Sequence, residues 1–315
     1  MWIVGIYTRL QAEDIHQILA LYGLADANFI EPLSLGISNS NYKIQTERGE
    51  NVILKVSNDK NKVELLEEQE ILMLLKDYKK SLTPFLTKND ELVYEYNGLH
   101  GVVFPLARGV NPIGEKFELI EIGRELAELH NFTESNAKLF KDTRAHAKVG
   151  FDLEGIEKYM EYDHALADYK DYYKKLIDPK MIELWKKSKL NSGLIHGDLY
   201  SDNILFDGKE ISKVLDFEQS GHGEYLLDLG ICISGCCIDM KGFSNKQMQF
   251  ILEGYEGVRK LSDTEKELLN TAVLLGFFDI ALWRIKRFFE GNLDPKRRNS
   301  YLKLLELAQD FKSKI

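Results

Sequence analysis

A chain of 315 residues is about twice the usual single-domain length of roughly 150, so two packed units or one large α/β unit are both open. Hydrophobic residues make up 44% and charged residues 29%, a globular balance that supplies a sizeable core and excludes disorder as the dominant state. With 50 acidic against 41 basic side chains the net charge is −9, and without an excess of Lys and Arg a generic nucleic-acid binder is excluded.

The longest apolar stretches, residues 226–238 and 272–283, fall short of the roughly 20 residues a membrane span needs, and each carries an aspartate, Asp228 and Asp279. No membrane span is expected. Residues 1–7 are apolar but lack a basic leader and a cleavage site, so they read as chain start, and the cytoplasm is the expected compartment. Cys232, Cys236 and Cys237 lie within one apolar run without further ligands at metal spacing, which predicts buried, reduced thiols on one helix.

No internal repeat or linker-like segment interrupts the chain. Residues 8–23 carry Leu10, Ile15, Ile18, Leu19 and Tyr22 at helical spacing and end at Gly23. Residues 29–35, 41–46 and 51–57 read as strands, the last two joined by a turn at Glu47-Arg48-Gly49-Glu50. A helix is predicted over 62–79, then strands over 92–96 and 101–106, giving an antiparallel sheet with one inserted helix. After Arg108-Gly109-Val110-Asn111-Pro112 the pattern turns helical: Leu119, Ile122, Leu126 and Leu129 form a stripe within 115–130, and 155–175 and 179–189 are helical in composition. The exception is 193–217, where short apolar clusters are punctuated by Gly, Asp and Asn before helices resume. The expected fold class is α+β and bilobal: a small antiparallel-sheet lobe over 1–106 and a larger, mostly helical lobe over 107–315.

The chemistry concentrates in that exception. His196-Gly197-Asp198-Leu199-Tyr200-Ser201-Asp202-Asn203 places an aspartate five residues ahead of an asparagine, and Asp216 follows thirteen residues later. Chance gives about 0.02 occurrences of His-x-Asp-x4-Asn in such a chain, so a merely polar turn is the weaker reading. Phosphoryl transfer needs this set: a carboxylate to accept the proton of an attacking hydroxyl, and oxygen ligands for Mg²⁺ on nucleotide phosphates. Asp198 fits the base, Asn203 and Asp216 the metal ligands, and His196 a support that holds the loop by a backbone hydrogen bond.

A kinase also needs a phosphate clamp. Leu35-Gly36-Ile37-Ser38-Asn39-Ser40-Asn41-Tyr42, between two predicted strands, offers small residues whose amides and hydroxyls could meet phosphate oxygens, although such clusters more often mark a simple turn. Lys55 breaks an apolar strand and so points to solvent or to a phosphate and a carboxylate. Glu68 interrupts the stripe Leu65, Leu72 and Leu75 on the next helix, making it the partner candidate.

These motifs, with Leu129-His130, Leu215-Asp216-Phe217 and Leu226-Leu227-Asp228-Leu229-Gly230-Ile231-Cys232, make the chain resemble the aminoglycoside phosphotransferase and choline kinase-like superfamily, of protein-kinase-like fold. Within it the likeness is closest to the homoserine kinases of that superfamily; Tyr22-Gly23-Leu24, Leu282-Trp283-Arg284 and Asp294-Pro295 share in it. The resemblance implies ATP and Mg²⁺ as cofactors, Asp198 as catalytic base, Asn203 and Asp216 as metal ligands, and Lys55 on the nucleotide phosphates. It further implies a hinge at Phe104-Pro105-Leu106-Ala107 against which adenine packs, and Asp228 as a brace of the catalytic loop. The implied reaction is ATP-dependent phosphorylation of a metabolite hydroxyl, L-homoserine first, in threonine biosynthesis. An aminoglycoside, choline, ethanolamine or another amino alcohol is the alternative acceptor, and a catalytically silent nucleotide-binding regulator is the alternative of another class. Glu218-Gln219-Ser220-Gly221-His222-Gly223 is more polar than the aromatic run associated with homoserine kinases.

Homoserine would need a cation for its carboxylate and a carboxylate for its ammonium. Asp279, Arg284 and Arg287 could supply these, against the favoured reading of an ordinary amphipathic surface helix. Choline would need an aromatic cage, for which Trp283, Phe288 and Phe289 are available, though such aromatics are more often core. The expected partner is a small amino-alcohol substrate, with no nucleic acid and no membrane, on a monomer or homodimer.

Overall fold

The structure, a computed structural model, describes residues 7–33, 39–58, 60–140, 152–291 and 294–315. The chain divides into two compact units, Met1–Arg108 and Gly109–Ile315.

The first unit opens with α1 (Ala12–Leu21), which buries Ile15, Ile18 and Leu19. Gly23, at φ +71°, ends it: Gly23 N–H donates to Ala20 O and Leu24 N–H to Leu19 O, satisfying the last carbonyls. Strands β1 (Ala27–Leu33), β2 (Asn39–Thr46) and β3 (Asn51–Ser57) are followed by α2 (Lys62–Leu74), β4 (Tyr94–Tyr96) and β5 (Leu99–Pro105). They form one antiparallel sheet in the order β1-β2-β3-β5-β4. Alternation assigns its faces. Tyr42, Ile44, Val52, Leu54, Val56 and Val103 pack with Ile15, Ile18 and Leu19 of α1, while Val102 on the other face packs with Leu65 of α2 and Val93. Helix α2 stops at Leu74, short of the expected Lys79, because Ser81 Oγ donates to Leu75 O and Tyr78 O and takes up carbonyls a continuing helix would have used.

The second unit contains α3 (Lys116–Ser135), α4 (Ala137–Phe140), α5 (Leu153–Glu161), α6 (Ala167–Leu176) and α7 (Pro179–Lys187). Next come β6 (Ser192–Ile195), β7 (Ile204–Asp207), β8 (Glu210–Val214) and β9 (Gly221–Glu224). The run closes with α8 (Tyr225–Cys236), β10 (Ile238–Asp239), β11 (Gly242–Phe243), α9 (Asn245–Val258), α10 (Asp263–Arg284) and α11 (Ser300–Ser313). The helical run expected over 155–175 is broken between α5 and α6, where Leu166 N–H donates to Tyr159 Oη and Ala165 N–H to Tyr162 O. Strands β6 and β9 pair, as do β7 and β8, and these two ribbons frame the segment that carries the chemistry.

Helix α10 lies against α8 at glycine contact. A side chain at Gly230 would meet Ala272 O at 2.3 Å, and one at Gly276 would meet Gly230 O at 2.9 Å, so the two backbones approach as only glycine allows. Beyond Arg284 the helix widens into a π-turn over Ile285–Glu290. By length and composition the stretch Asp263–Glu290 could cross a membrane, but 83% of its apolar window is buried inside the fold, as in a core helix. The expected surface helix at Asp279 and Arg284 is thereby corrected: the stripe is apolar nearly all round because other helices cover it. Cys232, Cys236 and Cys237 are free thiols, all buried.

Candidate active site

The loop after β6 is built on one buried carboxylate. Asp228, in the first turn of α8 and fully buried, accepts His196 N–H at Oδ2 and Gly197 N–H at Oδ1, each at 2.9 Å. His130 of α3 adds Nε2 to Oδ2 at 2.9 Å, and its Nδ1 lies 2.9 Å from Tyr255 Oη of α9. Burial opposes the Asp228 charge, but these donors outweigh it and hold the carboxyl below its usual range. Burial also lowers the His130 pKa, so the ring is neutral, donates Nε2–H to Asp228 and accepts Tyr255 O–H at Nδ1. Gly197 is required twice over: its φ is +78°, and a Cβ there would meet Gln219 O at 2.5 Å.

His196 ties the loop to the strand that follows. Its Nε2 lies 2.9 Å from Leu215 O and its Nδ1 accepts Asp198 N–H at 3.2 Å; burial keeps this ring neutral too. Asn203 closes the loop from the other end, donating Nδ2–H to Asp198 O at 2.8 Å and Asp198 Oδ2 at 3.2 Å. Its own carbonyl accepts Leu215 N–H, so one asparagine fixes both Asp198 and the approach to Asp216. Asp216 sits at φ 60°, ψ 65°, a left-handed conformation rare for a non-glycine residue and frequent at functional positions. Phe217 behind it is buried against the His196 ring.

Desolvation pushes the Asp198 carboxyl well above the usual carboxylate range, and Asp216, Asp202 and Glu218 push it further, opposed by the Asn203 amide. Such a crowd of carboxylates calls for a cation. Among the described residues no three His, Cys, Asp or Glu side chains form a ready metal cluster. The donors present fit Mg²⁺ completed by phosphate oxygens: Asn203 keeps Oδ1 for coordination while Nδ2 is spent on Asp198, and Asp216 brings a carboxylate.

In the first unit, Lys55 projects from β3 on the α2 face, opposite Asn41 of β2 and Val102 of β5. Its Nζ lies 3.3 Å from Glu68 Oε1, and Lys60 Nζ lies 2.9 Å from Glu68 Oε2. Burial alone would raise the Glu68 pKa, but the two ammonium groups outweigh it and hold the carboxyl at about 2. The phosphate-facing hydroxyl expected at Ser40 is corrected: Ser40 is fully buried, its Oγ accepting Tyr7 and Thr8 N–H and donating to Asn58 Oδ1. Asn39 is also buried, with Oδ1 toward Asn58 N–H at 3.4 Å. Ser38, with Gly36 and Ile37, lies outside the described residues. Phe104 lies on the α2 face of β5, and Leu106 spends its N–H on Asn51 O at 2.9 Å, leaving its carbonyl as the backbone group that could read an adenine edge.

The sequence alone assigned no role to four participants. Lys60 shares Glu68, His130 and Tyr255 support Asp228, and Tyr200 hydrogen-bonds Ser234, its ring lying where a side chain at Gly235 would stand. His130 was visible as a polar residue on an apolar stripe; Tyr255, 125 residues away, left no local signal. The three aromatics considered for a cage are already occupied: Phe288 is buried, Trp283 carries Arg287 on its face, and Phe289 carries Arg298.

A five-stranded sheet with its lysine-glutamate pair, followed by a helical unit bearing Asp-x4-Asn and a second aspartate, defines a phosphotransferase of protein-kinase-like fold. Residues 30–261 match the phosphotransferase enzyme family, and the chain belongs to that family. It is 26% identical over 290 residues to a homoserine kinase of Agrobacterium fabrum, covering 87% of this chain and 86% of that one. A homoserine kinase of Rhizobium rhizogenes is 27% identical over 279 residues, covering 85% and 83%. Among solved structures, an amicoumacin kinase in complex with AMP-PNP and Ca²⁺ superposes with a TM-score of 0.68 at 16% identity, covering 97% of this chain and 94% of that one. The chain is therefore an ATP-dependent phosphotransferase acting on a small molecule.

Proposed function

We propose that the protein transfers the γ-phosphoryl group of ATP to the side-chain hydroxyl of L-homoserine. The observation that carries the choice of acceptor is similarity at 26 to 27% identity to homoserine kinases over most of both chains. The chemistry is read from the residues. Asp198, oriented by Asn203 and made more basic by burial, accepts the hydroxyl proton as the oxygen attacks phosphorus in line. Asn203 and Asp216 hold Mg²⁺, which when bound neutralises phosphate charge and relieves the crowding around Asp198. Lys55, kept extended by Glu68, meets the nucleotide phosphates, and Asn41 shares its face of the sheet. Phe104 and Leu106 pack against and read the adenine. His196 and Asp228 touch no substrate and position the loop. A choline-type acceptor is less well served, since its candidate aromatics are already covered.

The test is a coupled ADP-release assay over homoserine, choline, ethanolamine, hydroxylysine, methylthioribose and aminoglycosides, run beside Asp198→Asn. Homoserine should stand alone above background, and Asp198→Asn should keep Mg·ATP binding while turnover falls by about 10² or more. Undiminished turnover in that variant would remove Asp198 from the mechanism, and background rates on every acceptor would favour a silent regulator.

A further inference from the structure

Helix α10 carries an acid and an arginine, neither of which has an ion-pair partner among the described residues. Asp279 is 4% exposed, and its Oδ1 has no hydrogen-bond partner among the described residues. Burial pushes its carboxyl well above the usual range, and the one other acid that bears on it, Asp152 at the start of α5, pushes the same way. A carboxylate this deep is costly, and no cation among the described residues offsets it. Five residues on, Arg284 is partly buried. It donates Nη1–H to Ser300 O at 3.1 Å and has no ion-pair partner among the described residues. The carboxylates it feels are Asp198 and Asp202 of the catalytic loop, and Tyr200 between them interacts with both Arg284 and Asp279.

The two groups suit a particular ligand. Five residues of helix advance about 7.5 Å along the axis and turn about 140°, so the two side chains leave the helix on different faces, and the long arginine stem carries its charge back toward Tyr200, which interacts with both groups. An α-ammonium and an α-carboxylate on one carbon, with a hydrogen bond of about 2.8 Å at each end, span roughly 8 Å. Both groups interact with Tyr200 of the loop whose Asp198 would accept the hydroxyl proton.

We propose that Asp279 and Arg284 form the zwitterion clamp of the acceptor, Asp279 taking the α-ammonium and Arg284 the α-carboxylate of a hydroxy-amino acid, with Tyr200 as the floor between them. The assignment rests on the phosphotransfer reading and adds the residues that select the acceptor. The buried acid has an oxygen without a partner among the described residues because its partner is the substrate. An alcohol lacking either charge leaves one of the two groups unpaired, and a site that demands both rejects such analogues by factors of about 10³ or more.

Titration calorimetry with Mg²⁺ and AMP-PNP present tests this without turnover. The probes are L-homoserine, 4-hydroxybutanoate, which lacks the ammonium, and 3-aminopropan-1-ol, which lacks the carboxylate. Asp279→Asn should weaken homoserine about 10²-fold and leave 4-hydroxybutanoate within twofold of wild type. Arg284→Gln should do the reverse, weakening homoserine and sparing 3-aminopropan-1-ol. Thermal melting guards against misfolding: Asp279→Asn should melt no lower than wild type, since it replaces a buried carboxyl that has an unpartnered oxygen with an uncharged amide of the same shape. Equal weakening of homoserine and 4-hydroxybutanoate, a lower melting temperature, or no homoserine binding to wild type would each overturn the clamp. Binding without phosphorylation in the ADP-release assay would leave the clamp standing and overturn the kinase reading instead.

Discussion

Asp228 and Glu68 are both buried acids held ionised, yet they are satisfied by different kinds of donor. Asp228 receives two backbone N–H groups and a neutral imidazole, all at 2.9 Å and all fixed in direction by the fold. Glu68 receives two lysine ammonium groups at 3.3 and 2.9 Å, each on a flexible stem and each partly exposed. The first arrangement freezes a backbone: with Asp228 in place, residues 196 and 197 have one conformation, and Asp198 follows from it. The second arrangement is an exchangeable store of charge. Lys55 can turn toward a phosphate while Lys60 continues to neutralise Glu68, so a nucleotide need not leave a bare carboxylate behind.

The contrast is broken most severely at Asp228. Asp228→Ala leaves the N–H groups of His196 and Gly197 and the Nε2–H of His130 without an acceptor inside the core, and losing one partner of such a network costs about 3 to 5 kcal/mol. Urea unfolding followed by circular dichroism should show that drop, with turnover lost in whatever fraction stays folded. A loss under about 1 kcal/mol would mean that the loop holds its shape without the carboxylate.

Glu68→Gln should be milder, about 2 kcal/mol at neutral pH, because the two lysines it strands can reach water. Its pH dependence is specific. The folded-state pKa of about 2 lies below the ordinary 4.5, so the carboxylate contributes fully above pH 4.5, and that contribution fades as pH falls toward 2. Wild type and Glu68→Gln should therefore differ in unfolding midpoint at pH 7 and converge near pH 2. A gap unchanged across that window would show that Glu68 is not held by its lysines.

How much of this the sequence made legible follows from how local each cause is. The turn at Glu47 to Glu50, the end of α1 at Gly23 and the alternation that turns Lys55 away from the α1 face are decided by neighbours a few residues apart. So is the Asp198 and Asn203 pair, since one loop of five residues brings the amide back to the carboxylate. Ser40 misled because a hydroxyl in a small-residue turn looks the same whether it faces a phosphate or, as here, the backbone of residues 7 and 8. The break between α5 and α6 depends on the Tyr159 hydroxyl, with no Gly or Pro to announce it. Helix α10 was misjudged as a surface helix because periodicity reports one covered face, whereas α5, α7, α8 and α11 cover it from several sides.

The smallest effect probes the outermost bond of the Asp228 network. Tyr255 Oη is buried and donates to His130 Nδ1, leaving Nε2 as the protonated nitrogen that faces Asp228. Tyr255→Phe keeps the ring packing and removes only that donor, leaving one buried imidazole nitrogen unsatisfied at about 1 to 2 kcal/mol. Asp228 retains its two backbone donors, so the loop should keep its conformation and turnover should fall no more than a few-fold, with the KM for ATP unchanged. The imidazole, freed of its tautomer lock, should accept a proton more readily. Since burial holds the His130 pKa below its ordinary 6.5, folding now favours the neutral ring, and wild-type stability from this group declines as pH falls below about 6.5. In Tyr255→Phe that decline should shrink, because a doubly protonated ring no longer forfeits the tyrosine bond. A pH profile of unfolding midpoints identical in shape to wild type would mean that Tyr255 packs beside His130 without fixing its proton, and the directional network would then end at the histidine.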